Sequence, residues 1–186
     1  MKNRILKTIA ALILAASSGV AIHNYTGTDI SLPDGSIIPS EQLTESLSKT
    51  YKNRQQSNNL YITIHHTAGS EKASLESIAK FHVEKRGWPA IAYHIAINQD
   101  GDIHFLNEIE EITYHDSGQN TNSIGIVLVG NFEDYEPSEN MVESVELVTD
   151  ALCKALHIKG IRGHRDTSPT LCPGTYAYSE LKNLFF

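Results

Sequence analysis

The chain has 186 residues, 40% hydrophobic and 20% charged, which suits one domain with a buried core and excludes a disordered or low-complexity chain. Its 15 Lys and Arg stand against 22 Asp and Glu, a formal charge of −7. That balance lacks the basic face a nucleic-acid partner requires and offers no attraction to anionic lipid.

Met1 to Lys7 is basic, Thr8 to Ala16 is apolar, and Ser17 to Ala21 is mostly small. This layout predicts a secretory signal peptide over residues 1–21, with Gly19 and Ala21 at the −3 and −1 positions of a cut after Ala21. The apolar part is shorter than the ~20 residues of a membrane span, so no membrane association is expected after cleavage. An uncleaved N-terminal anchor is the alternative. No Cys follows the apolar run, which argues against a lipoprotein. The mature chain is expected to be bacterial and exported, either periplasmic or secreted. Three of the 15 basic residues leave with the leader, so its charge becomes −10.

Residues 22–58 are polar, with Gly27, Pro33, Asp34-Gly35 and Pro39, and read as an N-terminal extension draped over a domain at 59–186. Thr44 to Arg54 is predicted as a short helix within it. Leu60-Tyr-Ile-Thr-Ile-His-His66 is a β-rich run ended by Thr67-Ala68-Gly69. Alternation puts His66 on the face with Ile62 and Ile64, as a packed residue, and His65 on the opposite face at the strand's C-terminal end. Sites gather at such ends, which makes His65 a candidate ligand.

Ser74 to Arg86 reads as a capped helix with Leu75, Ile78, Phe81 and His82 on one face, stopped by Gly87 and Trp88-Pro89. Ala90 to Ile97 and Asp102 to Leu106 read as strands joined by the turn Gln99-Asp-Gly101. Tyr93 and His94 then lie on opposite faces. A polar loop, Tyr114 to Asn122, feeds Ser123 to Gly130, whose apolar run predicts a strand buried on both faces. A long helix from Pro137-Ser138 to Leu156 follows, then strand Gly160–Gly163 and a closing helix at Tyr178 to Leu184. Val145, Leu152 and Leu156 form the long helix's apolar stripe, beside which Cys153 reads as a buried small residue. The fold class is α/β, a mixed central β-sheet flanked by helices.

Between strand and closing helix lies Ile161-Arg-Gly-His-Arg-Asp-Thr-Ser-Pro-Thr-Leu-Cys-Pro-Gly174. Its prolines and glycine make a loop that returns Cys172 to the neighbourhood of His164, two donors of a metal site. In an exported chain a Cys153–Cys172 disulfide is the competing use of that thiol.

These pieces together resemble the zinc-dependent N-acetylmuramoyl-L-alanine amidases, the amidase-2 family that includes phage lysozyme-type amidases and animal peptidoglycan recognition proteins. The resemblance rests on Ile64-His-His-Thr-Ala-Gly69, Phe81-His, Arg86-Gly-Trp88, Ala92-Tyr-His-Ile-Ala-Ile97 and Asp100-Gly101. It continues through His115-x-x-Gly118-x-Asn120-x-x-Ser123-Ile-Gly-Ile126, Gly130-Asn-Phe132, Gly163-His-Arg-Asp166 and Thr170-x-Cys-Pro-Gly174. It implies a Zn2+ held by His65, His164 and Cys172, with Tyr93 beside the open position. Thr170 follows the pattern of catalytic recognition proteins at the position two before the Cys ligand. The resemblance further implies hydrolysis of the amide between N-acetylmuramic acid and L-alanine.

His94, His115, Asn120, Arg86 and Trp88 are candidate substrate contacts, with Asn120 equally suited to shaping its turn. Asp166 suits either orienting a zinc-bound His or capping its loop. Peptidoglycan or muropeptides are the expected partners, and a monomer is expected. A non-catalytic wall-binding module and an exported antibacterial amidase with an immunity protein are the competing readings.

Overall fold

The computed structural model describes residues 4–16, 19–55 and 59–185. Residues 1–3 and 17–18 of the segment read as a signal peptide lie outside them, as do residues 56–58 and the last residue. The described elements are helix α1 (Arg4–Ala16), strands β1 (Ile22–Asn24), β2 (Ile30–Ser31), β3 (Ile37–Ile38) and β4 (Leu60–His66), and helix α2 (Leu75–Lys80). Then come β5 (Ile95–Ile97), β6 (Ile103–Phe105), β7 (Ser123–Leu128), α3 (Glu139–Ala155), β8 (Ile158–Gly163) and α4 (Thr175–Glu180).

Six strands form a mixed sheet in the order β1-β6-β5-β7-β4-β8, as the α/β reading expects. The β4, β7 and β8 strands run parallel, and the β5–β6 hairpin supplies the antiparallel step. Period-2 alternation sorts β4 and β7 into two layers. Ile62, Ile64, Ile124, Ile126 and Leu128 pack with Val145, Val148 and Leu152 of α3. On the other face Ala96 and Val127 pack with Ala79 of α2. β7 is buried at every position, as its continuous apolar run predicts.

Ser138 caps α3 by accepting the Met141 N–H, and Ser74 caps α2 from Ser77. α2 runs on into a π-helical turn, Phe81–Lys85, that ends before Gly87.

Several expectations need correction. Thr44 to Arg54 is irregular rather than helical. Its Thr, Ser and Asn side chains compete for backbone groups, and tertiary bonds take over, with the Tyr51 hydroxyl donating to Ala90 O at 2.8 Å. Only Ile95–Ile97 of the expected strand from Ala90 is in the sheet, because Asn107 Nδ2 takes the carbonyls of Ile91 and Tyr93. Cys153 is exposed and free, one position round the helix from buried Leu152, so the disulfide does not form.

The extension is woven in as well as draped. β1 adds an edge strand beside β6, and β2–β3 form a separate ribbon. The segment read as a leader forms α1, whose Leu6, Ile9, Ala10 and Ile13 are fully buried against the core that includes α3. An apolar leader and a packed helix ask for the same residue chemistry, and this stripe at i, i+3, i+4, i+7 satisfies both. No helix among the described residues is long and apolar enough to cross a membrane.

Ile126 sits fully buried in the central strand under α3. Ile126→Ala is expected to cost about 2–5 kcal/mol, read as a lowered urea midpoint at unchanged slope.

Candidate metal centre

Strand register brings the donors together. Ile64 of β4 pairs with Gly163 of β8, so the residue after each, His65 and His164, stand side by side. Their ring centroids are 4.5 Å apart. The chain then turns through His164–Asp166 and loops back. Arg165 N–H donates to Cys172 O at 2.8 Å, and Arg165 also reaches Glu133, which accepts from Thr175 N. That bracing returns Cys172 to within 3.7 Å of His65 Nδ1, measured from Sγ. Gly174 is required there: a Cβ would meet the Phe132 backbone carbon at 2.4 Å. His65, His164 and Cys172 each offer a donor atom within 4.8 Å of the others.

A second layer holds this cluster. His65 Nε2 lies 3.0 Å from His115 Nδ1, which leaves His65 Nδ1 for an ion. His115 is buried behind it, against Ser123, and fits only because residue 125 is glycine: a Cβ would come within 2.5 Å of the ring. The fully buried Asp116 carboxylate stands 3.6 Å from His164 Nε2, takes a bond from Thr167 Oγ1, and has one oxygen, Oδ1, without a hydrogen-bond partner. His66 N–H donates to Cys172 Sγ at 3.3 Å, while its ring accepts from Phe132 N–H, the packed role expected of it.

The remaining candidates divide. The Tyr93 ring lies 5.4 Å from His65, on the approach to the cluster. Thr170 Oγ1 accepts the Cys172 N–H at 3.2 Å, so it shapes the loop and keeps its own O–H free to donate. Trp88 stacks near His82, at 4.9 Å, and meets Tyr114 edge-on at 6.0 Å. Exposed Arg86 lies over Phe81 and Trp88. These rings continue outward from Tyr93, which is 5.8 Å from His82.

His94, by contrast, is fully buried and offers no surface to a substrate. Its Nδ1 accepts the Gly125 N–H, so Nε2 carries the proton and donates to Glu111 O at 2.9 Å. His115 is likewise buried behind His65 rather than open to a ligand. Asn120 Oδ1 accepts the Asp116 N–H, the turn-shaping role. Asp166 caps its own turn through Gly163 N–H and receives the Tyr178 hydroxyl, with no contact to a candidate ligand among its hydrogen bonds.

Two supporting residues escaped sequence reasoning. Asp116 sits in a polar loop where nothing marks it. Arg54, in the extension, spans to the carbonyls of Thr121, Glu111 and Ser123 behind His94.

Two imidazoles and a thiolate make a nitrogen–sulfur set suited to zinc, and the unpartnered Asp116 oxygen suits a positively charged centre. Burial holds His65 well below the ordinary imidazole value, lowers His115 to about 3, and lowers His164. Burial also pushes the Cys172 thiol up to about 11, a preference a coordinated cation reverses.

These folded-state values lie below the unfolded value near 6.5, so the unfolded chain takes up protons first as pH falls. The stability contributed by neutral His65, His115 and His164 is complete above about pH 6.5 and is lost as pH falls from there toward about 3. Urea midpoints of chelator-treated protein are expected to drop across that window, and a flat profile would contradict the burial argument.

A family model described as N-acetylmuramoyl-L-alanine amidase (amidase-2) matches residues 55–175. Peptidoglycan-recognition protein SC1a of Drosophila melanogaster is 33% identical over 132 residues, 66% of this chain and 71% of its own length. Among solved structures, the Ph2119 endolysin of a Thermus scotoductus bacteriophage superposes with a TM-score of 0.65 at 28% identity, covering 73% of this chain and 90% of the endolysin. A variant of Drosophila PGRP-LB in complex with tracheal cytotoxin gives a TM-score of 0.65 at 26% identity, covering 74% and 88%.

Proposed function

From the premise that this chain belongs to the N-acetylmuramoyl-L-alanine amidase (amidase-2) family, we propose that it is a zinc-dependent amidase. Its substrate is the amide joining N-acetylmuramic acid to L-alanine in bacterial peptidoglycan or muropeptides. The single observation that carries the reading is the convergence of His65, His164 and Cys172 with Tyr93 beside them. A wall-recognition module needs no thiolate-bearing cluster, and Cys172 is built into this one, bonded by the His66 N–H.

His65, His164 and Cys172 would hold the ion. Zinc held by these residues would supply a hydroxide nucleophile near neutral pH and polarise the scissile carbonyl. The protein's own residues do the rest. His115 takes the Nε2–H of His65 and holds the ring in one tautomer. Asp116 offsets positive charge beside His164. Burial, and then the neighbouring Cys172, raise the Tyr93 pKa, so its phenol stays protonated and acts as a donor rather than a base. Its hydroxyl would hydrogen-bond the carbonyl oxygen as charge develops there. Thr170 is a second hydroxyl donor on the loop rim. Trp88 and Tyr114 offer ring faces to sugar or peptide, and Arg86 offers a cation to stem-peptide carboxylates. The leader-like N-terminus agrees with a site of action outside the cytoplasm.

Purified sacculi are expected to release stem peptides with free L-alanine amino termini, detected by mass spectrometry, and to stop doing so with a chelator or in Cys172→Ser. Binding to sacculi with no peptide release by the zinc-loaded wild type would make the chain a recognition module instead. Tyr93→Phe is expected to lower kcat by about 10²–10³-fold while zinc content is unchanged.

His115→Ala removes the partner of His65 Nε2. Zinc affinity, measured by competition with a chelating dye, is expected to fall about 10–100-fold.

A further inference from the structure

A second donor cluster lies at the other side of the sheet, with β5 and β7 between it and β4. His23 of β1 and His104 of β6 are register partners across the parallel edge pair. Their rings stack at 4.6 Å between centroids, 15° from parallel. Asp102 stands two positions before His104 and so shares its face. One donor atom from each of the three lies within 4.8 Å of the others.

Ring stacking does not account for this arrangement. His104 Nδ1 is shielded from solvent and has no hydrogen-bond partner, a state that carries a desolvation cost unless something accepts its lone pair or its proton. Asn98 Nδ2 engages one Asp102 oxygen, Oδ2, and so orients the carboxylate.

We propose that His23, Asp102 and His104 form a second site for a divalent transition ion, which clamps the N-terminal edge strand β1 onto β6. Two imidazoles and one carboxylate are borderline nitrogen and oxygen donors, the set that zinc and its first-row neighbours accept. Tetrahedral zinc at about 2.0–2.2 Å from each donor needs donors ~3.4 Å apart. Binding would require side-chain rotations that turn the stacked rings toward a common point. An entry path exists: His104 lines a cleft of about 490 Å³ with Tyr25, Glu41 and Asn98. Glu41, Glu71 and Glu76 on its wall outnumber Lys72 and favour a cation. All three ligands lie beyond Ala21, so removal of residues 1–21 would keep all three side chains in the chain.

The proposal is independent of the amidase reading, and zinc stoichiometry separates the two. Equilibrium dialysis of the full chain against zinc, with metal measured by mass spectrometry, is expected to give two ions per wild-type chain. Cys172→Ser and His104→Gln should each hold one, and the double variant none. Zinc should raise the unfolding temperature of Cys172→Ser and leave that of the double variant unmoved. His23→Gln, at the more open end of the site, replaces His104→Gln if the latter fails to fold by circular dichroism. With cobalt as probe, His104→Gln should keep the thiolate-to-metal absorption of the Cys172 site and lose only the remainder. One zinc per wild-type chain, lost in Cys172→Ser and kept in His104→Gln, would overturn the second site while leaving the amidase reading intact. Two zinc ions retained in both His104→Gln and His23→Gln would also overturn it.

Discussion

The pairing of Ile64 with Gly163 is the constraint on which the rest depends. Parallel strands in register end together, and the residue after each pair member is carried to the same edge. Here that sets His164 beside His65 before any side chain contributes. The loop to Cys172 then has one task, to return a thiol to a point already defined. Its anchors, Arg165 on Glu133 and Gly174 against Phe132, lie on the loop that follows β7, the neighbouring parallel strand. The centre is thus a property of three adjacent strand ends.

Behind the donors the structure spends much of its buried polar chemistry. His115, Asp116, His94 and Arg54 are buried polar residues, and all but two of their polar atoms, Arg54 Nε and Asp116 Oδ1, have partners. Most of their bonds run to one another or to β7 and the loop before it. Gly125 recurs in this layer: its N–H binds His94 and its missing Cβ admits His115. The candidate ligands themselves are left neutral by burial, a state that favours a cation over a proton as the charge the site accepts.

Period-2 alternation separated His65 from His66 correctly, because the face of a strand is a local property. The cap at Ser74, the start of α3 at Ser138, the β5–β6 turn and the buried run of β7 were legible for the same reason. His94 was not. It reads as a site residue by its place beside Tyr93, yet its ring is consumed by the Gly125 N–H and Glu111 O, partners supplied from elsewhere in the chain. Cys153 was misplaced by one position on a helix, where 100° of rotation separates core from solvent. The Thr44 to Arg54 segment lost its helix to bonds with Ala90 and the loop near Thr121, which no local propensity records.

By itself, then, the sequence determined the chemistry on offer: two histidines at the ends of recognisable strands, a cysteine on the loop after the second, a phenol nearby, an apolar leader-like start, and an α/β order of elements. Those are short-range facts, decided by periodicity and by residue type. Only the tertiary structure decided which ring joins the donor cluster and which is buried behind it, that Asp116 and Arg54 belong to the site's support, and that His23 meets His104. Each of these rests on strand register or packing between segments far apart in the chain, and that is a quantity no local pattern encodes.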